Sequence, residues 1–502
     1  MAGYLLGIDI GTQGTKTSLI ALDGSIIKTA YEDSNLIYCE NYAVEQNSDE
    51  IYNSCLRTIK QVVTDSGISY NEILSIGIDG QMAGIVGIDE NWNAITPYDS
   101  WLDNRCDKYK QWIKSIDEKR LILISGSPAM IDHAPKILWW KNEKPDTYKK
   151  ISKFLMIGSF IAGKLCALRA EEAFIDYTYL HFTGLADIVN CKWSDELCET
   201  FGISKTKMPQ IVEPWKIIGK ISKETADKCG LLQGTPVIAG CGDTAAASLG
   251  AGIVKAGMAF DVAGTASVFS CCVDRYSPDL DNKTLIFPKS VIPGLWNPMA
   301  YIGGGGLCLK WFRDEFFGGS QSYKELDERA QKIPAGSENL IFIPHFNGRV
   351  LPDSPYMRGS FMGLNWVHTR YHMYRSIMEG IAYEYHYYLN IINSLVGNIA
   401  CTSVLAVGGG AGSEVFNSIK SDILGIPYYT QSRSDTATFG MAILAGYGVG
   451  IYDDLIKTIT GFIQHKAKVE PSSENKVKYL KQEKSYEDAL KAMDWYYGRS
   501  NG

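Results

Sequence analysis

Two isolated acids follow apolar stretches of the sequence. Asp9 lies in "GIDIG" and Asp243 lies in "AGCGDTAAA". A carboxylate among apolar residues is costly unless it is paired or binds a metal. Two acids at strand ends would suit phosphoryl transfer, in which one holds Mg²⁺ and the other accepts a proton from an attacking hydroxyl. Two structural alternatives stay open, a turn cap for Asp9 and a helix N-cap for Asp243.

Between the strands predicted in "LLGIDIGTQGTKTSLI" (5–20) lies a turn rich in glycine and threonine. Glycine lets backbone N–H groups approach a phosphate closely, and threonine hydroxyls can donate to it. The turn is not a P-loop, because the spacing G-x-x-x-x-G-K-[ST] is absent. It predicts either a phosphate-binding loop or a structural hairpin. The candidate phosphate contacts are Gly11, Thr12, Gln13, Gly14 and Thr15.

Two more glycine loops follow apolar segments, at Gly264–Thr265 and at Gly408–Gly410. The second, "GGGAGSEVFN", begins a predicted helix whose N-terminus favours anions. Each loop alone fits an ordinary turn. Three loops spread over both halves of the chain predict a nucleotide lying across a cleft.

Polar and aromatic residues cluster in "GQMAG" (80–84) and "SWLDNRC" (100–106). Asp103 and Arg105 could bind sugar hydroxyls while Trp101 stacks on the C–H face of the sugar. A surface Asp–Arg pair beside a core tryptophan is the alternative interpretation. The seven histidines show no metal-ligand spacing.

The elements that must position these residues alternate between strand and helix patterns, which predicts an α/β fold. Apolar residues at helical spacing predict a helix that opens with Ser48 and closes at Gly67. A strand–Gly/Thr turn–strand pattern opens each half, at 5–20 and at 258–273, which indicates a duplicated unit. We therefore expect two domains, 1–247 and 248–502, with a charged closing helix after about residue 466.

Composition restricts the class of protein. The 502 residues are 45% apolar and 21% charged with a net charge of −7, which is typical of a globular protein that binds neither nucleic acid nor anionic membrane. Twelve scattered cysteines without a C-x-x-C pair predict reduced, mostly buried thiols. No signal-peptide pattern or bilayer-length apolar run is present, so a cytoplasmic protein is expected.

Four stretches together carry a resemblance to a known family: "GIDIGTQGTK", "GTPVIAGCGDTAAASLGAG", "AVGGGAGS" and "GSFMGLNWVHTRYHMYRSIMEG". Over nearly its whole length the chain resembles the FGGY carbohydrate kinases, and among them it is most similar to xylulokinases. The resemblance implies two actin-like domains of the ribonuclease-H type that close over ATP and a sugar.

The resemblance also implies roles for single residues. Asp243 corresponds to the catalytic base, and Asp9, with Asp243, lies near the Mg²⁺. Phosphate contacts correspond to Gly11, Thr12, Gln13, Thr15, Lys16, Gly264 and Thr265, and the adenosine end to Gly409, Gly410, Ala411, Ser413 and Asn417. The sugar side corresponds to Gln81, Met82, Trp101, Asp103, Arg105 and Thr244, together with Asp243.

Departures from the family pattern concern mainly the sugar side. Ala83 stands where xylulokinases usually have His, and Thr244 stands where Asn is common. His133 and Trp140 depart from the upstream signature, and "NGRVLPDSP" (347–355) replaces a loop with a Glu-Arg-Thr-Pro core. The phosphoryl-transfer residues are therefore expected to be complete, while the identity of the sugar stays open.

The expected function is transfer of the ATP γ-phosphate to a hydroxyl of a ketopentose-like sugar, D-xylulose or a close relative. Alternatives are kinases of ribulose, glycerol or a sugar alcohol, an actin- or Hsp70-like nucleotide switch, and a sugar-binding regulator without catalysis. A small-molecule partner is expected, and homodimer formation is left open.

Overall fold

The computed structural model describes residues 3–397, 401–433 and 435–499. Its strands are β1 Tyr4–Ile10, β2 Gly14–Ala21, β3 Ile26–Asp33, β4 Ile37–Tyr38, β5 Val44–Gln46, β6 Ile73–Gly80, β7 Val86–Ile88, β8 Tyr98–Asp99, β9 Lys153–Leu155, β10 Phe174–Asp176, β11 Ala186–Asp187, β12 Lys192–Trp193, β13 Gln210–Val212, β14 Ile217–Lys220, β15 Pro236–Ile238, β16 Cys241–Gly242, β17 Met258–Ala263, β18 Ser267–Cys271, β19 Met299–Ile302, β20 Ile341–Ile343, β21 Ser360–Met362, β22 Ser403–Val407, β23 Tyr428–Gln431 and β24 His465–Val469. Its α-helices are α1 Ser48–Ser66, α2 Asp107–Ser125, α3 His133–Glu143, α4 Pro145–Lys150, α5 Ile157–Cys166, α6 Asp195–Phe201, α7 Lys223–Cys229, α8 Asp243–Gly250, α9 Gly305–Phe317, α10 Tyr323–Ala330, α11 Arg370–Val396, α12 Glu414–Leu424, α13 Thr436–Gly448, α14 Leu455–Phe462 and α15 Ser473–Arg499.

The chain divides into two compact units that are not contiguous in sequence. Unit 1 comprises Met1–Val254, Pro288–Gly294 and Asp435–Ile463, and unit 2 comprises Lys255–Phe287, Leu295–Ser434 and Gln464–Gly502. The main segment of unit 1 thus ends near the predicted boundary at 247/248. The expectation of an uninterrupted second half differs from this division, because two later segments of the chain pack into unit 1.

Each unit is built on one mixed sheet, and the two sheets share a pairing scheme. In unit 1 the order is β3-β2-β1-β6-β15-β14, and in unit 2 it is β19-β18-β17-β22-β23-β24. From the first strand to the last, the pairings in both are antiparallel, antiparallel, parallel, parallel and antiparallel. The two strand–turn–strand patterns of the sequence correspond to β1–β2 and β17–β18. The duplication predicted from them is therefore present in the fold.

Helix α1 lies on the sheet of unit 1 and buries one apolar face against it, including Ile51, Cys55 and Ile59. The helix begins at Ser48, as the sequence predicted, and its capping side chain is that of Asn47, which accepts from the N–H groups of Asp49 and Glu50. The predicted end is correct, since Gly67 has a φ of 68° and closes the helix in the left-handed conformation.

Helix α13 approaches the backbone of β1 and β6 closely, which explains why a late segment belongs to unit 1. A Cβ added at Gly7 would lie 1.8 Å from the carbonyl oxygen of Thr438, and one at Gly77 would lie 2.5 Å from that of Met441. Helix α8 packs against α13 in the same way, through Gly250. These glycines permit contacts that any side chain would block.

In unit 2 the predicted closing helix is α15. Most of its polar residues face solvent, but Tyr479, Gln482, Tyr486 and Leu490 are buried, so the helix is part of the core rather than fully solvated. The twelve cysteines are free thiols, and most are buried. Within the described ranges, every helix is too short or too polar to cross a membrane.

Candidate active site

Three aspartates of unit 1 meet at the carboxyl ends of adjacent strands. The parallel strands β1 and β6 both carry the sequence Gly-Ile-Asp, and their register pairs Asp9 with Asp79. On the other side of β6, Asp79 pairs with Cys241 of β16, two residues before Asp243. Gly240 allows this approach, because a Cβ there would lie 1.7 Å from the carbonyl oxygen of Ile78.

Asp79 lies in the middle of this group and is fully buried. No N–H or O–H of the described residues donates to either of its carboxyl oxygens. Burial, together with the negative charges of Asp9 and Asp243, raises the pKa of Asp79 well above its ordinary value. Burial also raises the pKa of Asp9, although the Asp79 carboxyl and Lys16 act in the opposite direction. The raised pKa values favour the protonated forms, which lessens the repulsion between the two paired aspartates.

Asp243 is the first residue of α8, and Gly242 is the N-cap. The N-cap interpretation of Asp243 is therefore wrong. Its Oδ1 accepts from the Thr244 backbone N–H at 2.5 Å and from the Thr244 hydroxyl at 3.1 Å. Burial and the charge of Asp9 raise the pKa of Asp243 to about 7, although the two Thr244 bonds lower it. A carboxylate with this pKa can accept a proton near neutral pH.

The predicted phosphate turn joins β1 to β2 beside these acids. It is tight, since the N–H of Gly11 donates to the carbonyl oxygen of Gly14 at 3.0 Å. The Thr15 hydroxyl oxygen is buried and has no hydrogen-bond partner in the part of the chain that the structure describes, and Gln13 is exposed. Lys16 Nζ lies 2.6 Å from Asp435 Oδ1, at the residue preceding α13. The ammonium of Lys16 is thus held beside the turn by an ion pair that the sequence did not predict.

Three of the predicted sugar-side residues contact this turn or the start of α8. The Trp101 indole N–H donates to the Thr12 hydroxyl at 2.8 Å, and the indole is 42% exposed. The Thr12 hydroxyl donates to Gln81 Oε1 at 3.2 Å. Met82 packs against Gly242, where an added Cβ would meet its methyl carbon at 2.6 Å. The next residue, Ala83, is buried with a φ of 61°.

Asp103 and Arg105 form a buried pair, so the alternative of a surface pair beside a core tryptophan is wrong in both respects. Asp103 Oδ2 accepts from Arg105 Nε at 2.7 Å and from the backbone N–H of Val44 at 3.2 Å. Arg105 Nη2 also donates to Glu45 at 2.6 Å and lies 3.6 Å from Asp99. These contacts hold the loop that carries Asp103 and Arg105 against β5 and β8.

The nucleotide-side residues form a second group, within unit 2. A Cβ at Gly408 would lie 2.9 Å from the carbonyl oxygen of Ala263 and 3.5 Å from the nitrogen of Gly264, so the two predicted loops are in contact. Thr265 and Gly409 are exposed, and Gly410 and Ala411 are partly exposed. Asn417 Nδ2 donates to the Ala411 carbonyl oxygen at 2.8 Å, and Ser413 caps α12.

Sequence reasoning missed three parts of these groups. Asp79 has a recognisable signal, because "GID" occurs in both β1 and β6. The run Gly303–Gly306 lies against the Gly264 turn, where a Cβ at Gly306 would be 2.1 Å from the carbonyl oxygen of Gly264. Gln46 contacts Thr12 and Gln81 but gives no sequence signal, because a single glutamine at a strand end has many structural uses.

Comparison with known proteins identifies the family of this fold and site. Residues 4–250 match the N-terminal domain of the FGGY family of carbohydrate kinases, and residues 262–449 match its C-terminal domain. The chain belongs to the FGGY family. This FGGY kinase is 29% identical to gluconokinase of Bacillus subtilis over 94% of this chain and 93% of that protein, and 27% identical to xylulose kinase of Bacillus subtilis over 95% and 94%.

The fold agrees with that assignment. A ligand-bound xylulose kinase from Lactobacillus acidophilus superposes on this FGGY kinase with a TM-score of 0.92, covering 99% of this chain and 100% of that one at 24% identity. The predicted two-domain actin-like fold is confirmed. The protein is an ATP-dependent carbohydrate kinase that acts on a small sugar-like molecule.

Proposed function

We propose that this kinase transfers the γ-phosphate of ATP to a hydroxyl of a neutral, ketopentose-like sugar, D-xylulose or a close relative. The observation that carries the proposal is Asp243, a partly accessible carboxylate at the start of α8 with a pKa of about 7. General bases work best when their pKa lies near the operating pH. Ribulose, glycerol and sugar alcohols are the alternative acceptors.

In the proposed reaction Asp243 takes the proton from the attacking sugar hydroxyl. The hydroxyl oxygen forms a bond to the γ-phosphorus while the bond to the leaving oxygen of ADP breaks. The two Thr244 bonds hold one oxygen of Asp243, which leaves the other to face the sugar. The acceptor would be positioned by Gln81, Met82 and Trp101. The contacts of Asp103 and Arg105 would hold the loop that carries Trp101 in place.

The phosphate contacts proposed from the family resemblance are Gly11, Thr12, Gln13, Thr15 and Lys16, together with Gly264 and Thr265. The adenosine end would bind to Gly409, Gly410, Ala411 and Ser413, with Asn417 holding that loop. Support comes from the Thr15 hydroxyl, which has no partner among the described residues, from the partly exposed Gly11 and Gly264, and from the exposed Gly409.

Mg²⁺ fits the donor chemistry of Asp9 and Asp243, since it prefers carboxylate and phosphate oxygens. Among the described residues no cluster of three or more His, Cys, Asp or Glu side chains could form a metal cage. This suits Mg²⁺, which one or two carboxylates usually hold together with substrate phosphates. When bound, it supplies positive charge against the charge that develops on the transferring group.

The charges around the sugar-side residues favour a neutral acceptor over an aldonate, the class to which gluconate belongs. Arg105 is enclosed by Glu45, Asp99 and Asp103. Lys136 is buried and donates to the backbone carbonyl oxygens of Asp99 and Ser100. Both cations thus already have partners, and a substrate carboxylate would meet a region rich in acids. The similarity to gluconokinase keeps gluconate phosphorylation as the second candidate.

The test is a coupled ADP-release assay over ketopentoses, pentitols, tetritols, hexuloses and gluconate, scored by kcat/KM. We expect a neutral five-carbon substrate to exceed gluconate by at least about tenfold, the factor that corresponds to roughly 1.4 kcal/mol. Preference for gluconate would contradict the neutral-sugar proposal. ADP release that no sugar or polyol stimulates would contradict the acceptor chemistry as a whole.

A further inference from the structure

A buried glutamine of unit 1 lies between the phosphate turn and the sugar-side loop. Gln46 ends β5 and is 1% exposed. Successive residues of a strand point to opposite sides. On β5 this directs Glu45 toward Arg105 and directs Gln46 toward Thr12 and Gln81.

The amide of Gln46 closes a ring of three hydrogen bonds. Its Oε1 accepts from Gln81 Nε2 at 2.7 Å, and its Nε2 donates to the Thr12 carbonyl oxygen at 3.3 Å. The ring is completed by the Thr12 hydroxyl, which donates to Gln81 Oε1 at 3.2 Å. Each member therefore fixes the orientation of the other two, as expected of a small buried polar network.

The ring connects to both parts of the candidate site. The Gln81 backbone N–H donates to the carbonyl oxygen of Ile10, directly before the phosphate turn. The half-exposed Trp101 donates to the Thr12 hydroxyl. A displacement of Gln46 would thus move a residue proposed to contact phosphate and one proposed to contact the acceptor.

We infer that Gln46 is a positioning residue for phosphoryl transfer. It touches neither reactant and acts through Thr12 and Gln81, holding the phosphate turn and the acceptor loop in one relative geometry. The inference rests on the proposed function. A displacement of about 1 Å between reacting groups costs on the order of 100-fold in rate, so loss of the ring should be visible in kinetics.

The first experiment compares full-length Gln46→Met with a matched control, Gln482→Met. Gln482 of α15 is also a buried glutamine, which donates to the Gly336 carbonyl oxygen at 2.7 Å and accepts from Tyr383, and these partners in unit 2 belong to neither loop group. We expect Gln46→Met to lower kcat/KM for the sugar by about 10- to 100-fold. The control should stay within about twofold of wild type, although both variants lose a buried amide and melt at lower temperature. Equal kcat/KM values for the two variants would overturn the inference.

A conservative variant separates positioning from general destabilisation. Gln46→Glu keeps an oxygen that can accept from Gln81 Nε2 but places its other oxygen against the Thr12 carbonyl oxygen. Its kcat should therefore fall while its KM for the sugar stays within about threefold of wild type, as expected when only the phosphate side is displaced. Gln46→Met should change both parameters. If Gln46→Glu and Gln46→Met changed kcat and KM identically, the bond to Thr12 could not serve the phosphate side separately from the bond to Gln81 on the acceptor side.

Hydrogen exchange of residues 11–16 gives a readout that does not depend on turnover. The Gly11 N–H, bonded to the carbonyl oxygen of Gly14, should exchange faster in Gln46→Met and at the wild-type rate in Gln482→Met. If wild type shows no sugar-stimulated ADP release but the turn exchanges faster, the proposed function fails while the link between Gln46 and the turn holds. Unchanged exchange together with sugar-stimulated turnover in wild type would overturn the link alone.

Discussion

Asp243 combines a pKa of about 7 with a position at the first residue of α8, and its carboxylate is oriented by Thr244. An amide of the same shape cannot accept a proton. Asp243→Asn should therefore lower kcat by about 10²–10⁴-fold, or roughly 3–5 kcal/mol, with a smaller effect on nucleotide binding. Steady-state ADP release and ATP titration measure the two quantities.

Asp279→Asn is the matched control for that substitution. Asp279 is also fully buried, and it accepts from the backbone N–H groups of Thr284 and Leu285 in unit 2, which belong to neither loop group. Its kcat should stay within a few-fold of wild type. Near-normal turnover of Asp243→Asn would remove Asp243 from the role of base.

The neighbouring carboxyl of Asp79, unlike that of Asp243, is expected to tolerate replacement by an amide. It is fully buried and its raised pKa favours the neutral acid, which an amide of the same size resembles in charge and shape. Asp79→Asn should therefore change the free energy of unfolding by less than about 1 kcal/mol. Asp79→Leu, which has no donor, should be clearly less stable in urea unfolding. A strongly destabilised Asp79→Asn would indicate that the native carboxyl is ionised.

At the scale of elements, the contact between α8 and α13 holds the helix that carries Asp243. A Cβ at Gly250 would lie 1.9 Å from the Thr436 carbonyl oxygen, so Gly250→Ala must separate the two helices. We expect a loss of about 1–3 kcal/mol, as is usual for overpacking, seen as a lower urea midpoint.

Gly461→Ala gives the contrasting case within the same unit. Gly461 lies in α14, and a Cβ there would meet no atom within 4 Å. Alanine is favoured over glycine in a helix by about 0.5–1 kcal/mol, so this variant should be slightly more stable than wild type. Similar midpoints for the two alanine variants would show that the α8–α13 contact is looser than described.

In unit 2 a buried charge network ties α11 to the segment that follows β20. Glu384 Oε1 lies 2.8 Å from His345 Nε2, and Glu384 Oε2 lies 3.5 Å from Arg349 Nη2. Burial alone would raise the pKa of Glu384, but Arg349 and His345 outweigh it and lower the pKa to about 2. The ionised carboxylate therefore stabilises the fold above its ordinary pKa of about 4.5, and this stabilisation is lost as pH falls toward 2.

Glu384→Gln should consequently be less stable than wild type at pH 7, by up to about 3 kcal/mol, and the difference should narrow below pH 4.5. Urea midpoints of both proteins between pH 7 and pH 3 test this. Glu474→Gln, which alters an exposed i,i+4 pair with Lys478, should differ from wild type by less than about 0.5 kcal/mol throughout. A difference at Glu384 that does not vary with pH would contradict the lowered pKa.

At the scale of the whole molecule, the segment Asp435–Ile463 completes unit 1 from late in the sequence. A chain that ends at residue 434 lacks α13 and α14, whereas one that ends at residue 463 keeps them and loses only parts of unit 2. Hydrogen exchange of β1 amides should be fast in the shorter chain and protected in the longer one. Equal protection would show that the sheet of unit 1 is stable without its late segment.

Much of this architecture could be predicted from local patterns. Apolar stretches on either side of Gly/Thr turns identified β1, β2, β17 and β18, and the repetition of this strand–turn–strand pattern identified the duplication. The acid after a short apolar strand marked Asp243, and the glycine-rich turns marked the loops beside it. The motifs also identified the family, because they extend over most of the chain.

Contacts between residues that are distant in sequence could be identified only from the tertiary structure. Strand register brings Asp79 beside Asp9, and β5 carries Gln46 to the phosphate turn. Burial encloses Asp103 and Arg105, and α13 returns to unit 1 because glycines remove the side chains that would keep it away. The sequence by itself thus determined the family, the repeated unit and the acid at the start of α8. The tertiary structure decided which polar groups are buried together, form ion pairs or share a hydrogen bond, because pKa and hydrogen bonding depend on solvent exclusion and on distances of a few ångströms.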